Sequence, residues 1–91
     1  MGIILYSHPK ELVWNWWRLM EGHGFTVQRN PSGGIITHAR AKVKIHFVED
    51  NHLMLVFSAP FIFFGKNLRL AKSVEDILLS VGAVKGSSQE S

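Results

Sequence analysis

The chain has 91 residues, of which 46% are apolar, with ten Lys/Arg against seven Asp/Glu for a net charge of +3, and no cysteine. This composition excludes a disulfide scaffold, thiolate catalysis and cysteine-based zinc sites, and it is too apolar for a disordered chain. One domain with a thin core is expected over residues 1–84, followed by a small, polar, flexible tail at 85–91.

Residues 2–6 are a short apolar run that reads as an edge or starter strand. Ser7-His8-Pro9 then opens a helix over 9–21. Ser7 or His8 caps it, Pro9 suits the first turn, and Glu11 favours the positive end of the helix dipole. At 100° per residue, Leu12, Val13, Trp16, Trp17, Leu19 and Met20 share one broad apolar face. Trp14 falls on the polar side with Asn15 and Arg18. An exposed tryptophan beside an arginine suits a partner contact or base stacking. Gly22-His23-Gly24 ends the helix.

Residues 25–29 alternate as a strand, and the Asn30-Pro31-Ser32-Gly33-Gly34 turn leads into a hairpin. The stretch 35–48 follows. Its odd positions (Ile35, Thr37, Ala39, Ala41, Val43, Ile45, Phe47) form one row. Its even positions include His38, Arg40, Lys42, Lys44 and His46. A single extended strand would bury the first row and present a comb of cations on the second. Alternate residues on a strand lie ~6.6 Å apart, close to the phosphate spacing of a nucleic-acid strand. The simpler reading is the solvated face of an antiparallel strand, where lysines also discourage edge pairing. A turn near residues 38–41 is the other option for so long a segment, although no Gly or Pro marks it.

Glu49-Asp50-Asn51-His52 is a second turn. Residues 53–58 read as a strand buried on both faces or central in the sheet. After Ala59-Pro60, the bulky run Phe61, Ile62, Phe63 and Phe64 is too apolar to be wholly buried in a thin domain, and it offers a homodimer surface. A last helix carries Val74, Ile77, Leu78 and Val81 on one face, starting at the Ser73/Asp76 pair or earlier, near Asn67, and stopping at Gly82. The order (β)αββ(β)βα has no βαβ alternation. It predicts an α+β fold, an antiparallel sheet of about four strands with two helices on one face.

Five histidines raise the question of a metal, but His46, Glu49, Asp50 and His52 match no ligand spacing, and no metal or other cofactor is expected. No Gly-x-Ser-x-Gly motif is present, and Asn30–Gly34 lacks the Lys-Ser/Thr ending of a phosphate loop. The longest apolar run, 53–64, is shorter than the ~20 residues of a membrane helix. No basic leader precedes it, and a cysteine-free chain suits a reducing compartment, so a cytoplasmic location without membrane contact is expected.

The stretches Pro9-Lys10-Glu11-Leu12-Val13, His23-Gly24-Phe25, Arg29 before the Gly/Ser turn, and Gly65-Lys66-Asn67-Leu68 leading to Ser73–Leu78 and Gly82 resemble the HicA toxin family, small dsRBD-like α-β-β-β-α proteins that act on RNA. The resemblance implies a scaffold suited to RNA contact. It does not extend to the family's Gly-Ser-His motif, whose histidine is catalytic. That place reads Ser32-Gly33-Gly34 here, with His38 the nearest histidine downstream.

The expected function is therefore a non-enzymatic binding module. It would contact nucleic acid through Arg29, His38, Arg40, Lys42, Lys44 and His46, helped by Trp14 and Arg18. The alternative is a protein-interaction module, an inhibitor or adaptor of phage type, docking the same cations on an acidic surface of a nucleic-acid-handling protein.

Overall fold

The computed structural model describes residues 2–49, 51–57 and 65–90, the last four of these by backbone alone. The elements in chain order are β1 (Gly2–Ser7), α1 (Lys10–Gly22), β2 (Thr26–Asn30), β3 (Gly33–His38), β4 (Ala41–Glu49), β5 (His52–Phe57), α2 (Lys66–Ser80) and β6 (Val84–Glu90). All strand pairs are antiparallel, in one open sheet of order β2-β3-β4-β5-β1-β6.

The α+β class and the two helices match the expectation, but about four strands become six. β1 is not an edge strand, because it lies between β5 and β6. The segment expected as a polar tail from Lys85 instead pairs with β1 across a register shift between Ile4 and Tyr6. Strand pairing uses backbone groups, so a polar, glycine-containing segment can complete a sheet that no hydrophobic pattern announces.

Pairing partners across an antiparallel sheet share a face. Ile4, Tyr6, Ile36, Val43, Ile45, Leu53, Leu55 and Phe57 are all buried, and the register places them on the same side. Both helices cover that side. α1 contributes Leu12, Trp16 and Met20 at helical spacing, and α2 contributes Leu70, Ala71, Val74, Ile77 and Leu78. Each such buried aliphatic side chain contributes ~1.5–3 kcal/mol, so this one layer dominates the stability.

α2 begins at Lys66, the earlier of the two expected starts, after Gly65 in the left-handed region at φ 70°. Ser73 is thus inside the helix, its hydroxyl donating to the Arg69 carbonyl at 3.1 Å. No helix among the described residues is long and apolar enough to cross a membrane. The aromatic run at 61–64 lies outside the described residues.

Candidate functional site

The stretch 35–48 is two strands joined by the two-residue turn Ala39-Arg40. Both turn residues have positive φ, 48° and 71°, the geometry that matches the twist of a tight hairpin. Ile36 pairs with Val43 and His38 with Ala41, so even positions before the turn share a face with odd positions after it. The expected comb is therefore divided. Lys42, Lys44 and His46 remain together on the sheet face away from the helices, with Lys42 and Lys44 exposed. His38 turns toward the helix layer, its ring 5.1 Å from that of Phe25 in an edge-on contact. Arg40 occupies the turn itself.

The other expected contact residues are dispersed. Arg29 pairs with Gly34 and so projects on the helix side, where its guanidinium stacks over Trp17 at 4.1 Å. Arg18 also lies over Trp17, at 5.7 Å, on the other arm of the same cluster. Trp14 is exposed, 72% accessible, and borders a groove with the far end of β4. These three residues do not join the β4 lysines.

What gathers instead is the end of the molecule where the β3–β4 turn meets the start of α2. The Lys42 backbone N–H donates to Asn67 Oδ1 at 2.9 Å, tying the first residues of β4 to the first turn of the helix. The chain neighbours of that tie, Ala41 and Lys66, line a recess of about 240 Å³ with Phe25, His38, Ala39, Arg69, Leu70 and Ser73. Lys66 and Arg69 are one helical turn apart and line it together with His38, and no acid is among its described lining residues. Arg40 lies in the adjoining turn, between the lining residues Ala39 and Ala41. The α2 N-terminus has no side-chain cap, so its leading N–H groups add partial positive charge at the same end.

Such a recess combines two exposed cations, a histidine and the Phe25 ring beside the start of a helix. Together these suit an anionic, planar-ringed chain: phosphates pair with Lys and Arg, and bases pack on rings. Sequence reading missed Lys66, Arg69 and Phe25. The i, i+3 spacing of the two cations behind Gly65 was the available signal, but nothing in the sequence shows that the hairpin turn reaches them.

Acidic groups concentrate elsewhere. Glu49 pairs with His52 at 3.5 Å, both exposed, at the β4–β5 turn. Glu75 is engaged by Tyr6 and Lys85. Among the described residues no group of three or more His, Asp or Glu side chains is placed to hold a metal ion. The chain matches no protein-family model, no curated protein and no solved structure.

Proposed function

We propose that the chain is a non-enzymatic nucleic-acid-binding module whose principal contact surface is the basic end built from His38, Arg40, Lys66 and Arg69. The convergence of His38, Lys66 and Arg69 on one recess with no acid among its described lining residues carries this reading. The resemblance to dsRBD-like RNA-interacting proteins agrees with it and favours RNA. Binding is electrostatic in the main, tolerant of sequence and strongly salt-dependent. The lysines of the open sheet face, Lys42 and Lys44, extend the surface along β4.

The test is fluorescence anisotropy with labelled single- and double-stranded RNA and DNA, from roughly 50 mM salt upward. Lys66→Glu with Arg69→Glu should weaken binding and lower the salt slope by about 2, more than Lys44→Glu alone. No binding at low salt, or binding indifferent to the double variant, refutes the proposal. RNA cleavage lost on His38→Ala would refute its non-enzymatic part.

A second reading rests on the open sheet face. There Ile3, Leu5, Ile35, Met54 and Val56 share a face with Lys44 and neither described helix lies over them, Leu5 being 37% accessible. An aliphatic band around a cation suits an acidic, partly apolar protein surface better than bases. A stoichiometric protein partner that survives nuclease and is lost on Lys44→Glu would favour this reading.

A further inference from the structure

The opposite end of β4 carries a surface that nucleic-acid binding does not use. Trp14 is 72% exposed and Val48 is 54% exposed. Together with Val13 and Phe47 they line a groove of about 500 Å³ whose described lining also includes Lys10 and Glu49. The strand is built to make it: a register shift between Phe47 and Glu49 displaces Val48 from the regular alternation. Bulges of this kind re-aim a side chain at the edge of a sheet.

We infer that this groove is a two-fold homodimer interface, each copy's Trp14 packing into the groove of the other. The argument is charge and shape. In a two-fold contact the same patch meets itself, so residue i faces j and j faces i. A groove whose described lining holds one cation and one anion beside apolar residues satisfies that rule when Lys10 of each copy meets Glu49 of the other. The Glu49 carboxylate already has His52 at 3.5 Å, and both are exposed enough to admit a further cation. A polyanion is disfavoured here because Glu49 would repel it. The basic recess at the far end, with its single sign of charge, would repel a copy of itself. Tryptophan also brings the largest contact area for the least loss of side-chain freedom.

The patch is small against the ~1,200 Å² of a stable standard interface, so the dimer is weak and concentration-dependent. Ala41 and Val48 stand seven residues apart on β4, a separation of about 23 Å at ~3.3 Å per residue. Each basic end therefore lies well away from the symmetry axis and stays free. The pairing itself does not depend on what those ends bind.

Sedimentation velocity of the nuclease-treated full chain, from about 10 μM to about 1 mM, tests the inference. The expected result is a monomer–dimer equilibrium that Trp14→Glu shifts to monomer throughout. Lys10→Glu and Glu49→Lys should each weaken dimerisation about tenfold or more, and the doubly exchanged variant should restore it. All three positions changed are exposed, and circular dichroism verifies that each variant is folded. A wild-type chain that stays monomeric to the top concentration overturns the inference. So does a dimer unaffected by Trp14→Glu, or a double exchange that fails to restore what the single changes remove.

Discussion

The Tyr6 hydroxyl donates to Glu75 Oε2 at 2.5 Å, joining β1 to α2 beneath the sheet. Lys85 Nζ of β6 approaches the same oxygen at 3.6 Å, so one carboxylate links three elements. Tyr6 is 1% exposed, and burial first, then the hydrogen bond and charge of Glu75, pushes its phenol well above the usual range. Tyr6 is the chain's single tyrosine, which makes the effect directly readable. In the native state the phenol should not ionise as pH passes ~10, whereas in the unfolded chain it does. The folded state then holds one proton more than the unfolded state. Stability is full below about pH 10 and falls by ~1.4 kcal/mol per pH unit above it. Absorbance at the phenolate band should therefore rise only as the protein unfolds in alkali. A native titration near the ordinary phenol value would contradict the buried bond. Tyr6→Phe should abolish the alkaline slope and lower neutral stability by ~1–3 kcal/mol, because Glu75 loses its closest donor.

The Ala39-Arg40 turn holds two side-chain-bearing residues at φ 48° and 71°. Left-handed backbone costs ~1–2 kcal/mol for an ordinary residue, and glycine gives back part of that gain through its own chain entropy. Ala39→Gly should raise stability by ~0.5–1 kcal/mol in thermal denaturation with nucleic-acid affinity unchanged. Arg40→Gly should stabilise similarly but reduce the salt slope of binding by about 1, because it removes a cation from the turn beside the recess. Equal loss of binding in both variants would mean that the shape of the turn, and not the arginine, makes the contact.

Gly33 and Gly34 looked like hairpin punctuation, and the Asn30–Gly33 closure of β2 onto β3 agrees. Their stricter role is steric. A Cβ on Gly34 would sit 2.6 Å from the Trp16 ring and 2.7 Å from the Gln28 carbonyl oxygen, and one on Gly33, at φ 145°, would run into the Ile45 carbonyl. The Gln28 oxygen is sheet backbone and cannot yield as a flexible side chain would. Gly34→Ala should therefore cost ~2–4 kcal/mol in denaturant unfolding, as overpacking against an indole and a fixed strand. A loss under about 0.5 kcal/mol would show that Trp16 can move aside.

How much of this was legible in the sequence depended on which force placed each residue. α1 and α2 are set by apolar side chains at helical spacing, and Leu12, Trp16, Met20, Val74, Ile77 and Leu78 fall where periodicity puts them. The stretch 35–48 misled for a definite reason. Two residues in a tight turn swap the parity of the buried row, so Ile36 and Val43 share a face although their alternation reads as opposite. No Gly or Pro marked the turn, and Ala39-Arg40 is held there by the ladders on either side. β6 was invisible because Lys85 and Gly86 carry no hydrophobic pattern and the strand is defined by backbone pairing to β1. The basic recess depends on a contact between residues 25 positions apart, Lys42 and Asn67, and spacing along the chain cannot report it.

Arg29 separates a structural cation from a binding one. It looked like part of the contact surface because it stands just before the turn into the cationic stretch. Its guanidinium lies 4.1 Å from the centre of the Trp17 ring, with Arg18 at 5.7 Å, and Trp17 packs on the edge of the core. A stacked guanidinium over indole contributes ~0.5–1 kcal/mol at an accessible site, and its stem covers apolar surface besides. Arg29→Ala should lower the unfolding free energy by about that amount and change the emission of Trp17. The salt slope of nucleic-acid binding should remain as in the wild type, in contrast to Arg69→Ala, which should lower it by about 1 with little effect on stability. If Arg29→Ala instead reduces the slope while leaving the tryptophan emission untouched, Arg29 belongs to the contact surface and the α1–β2 side of the molecule also meets the ligand.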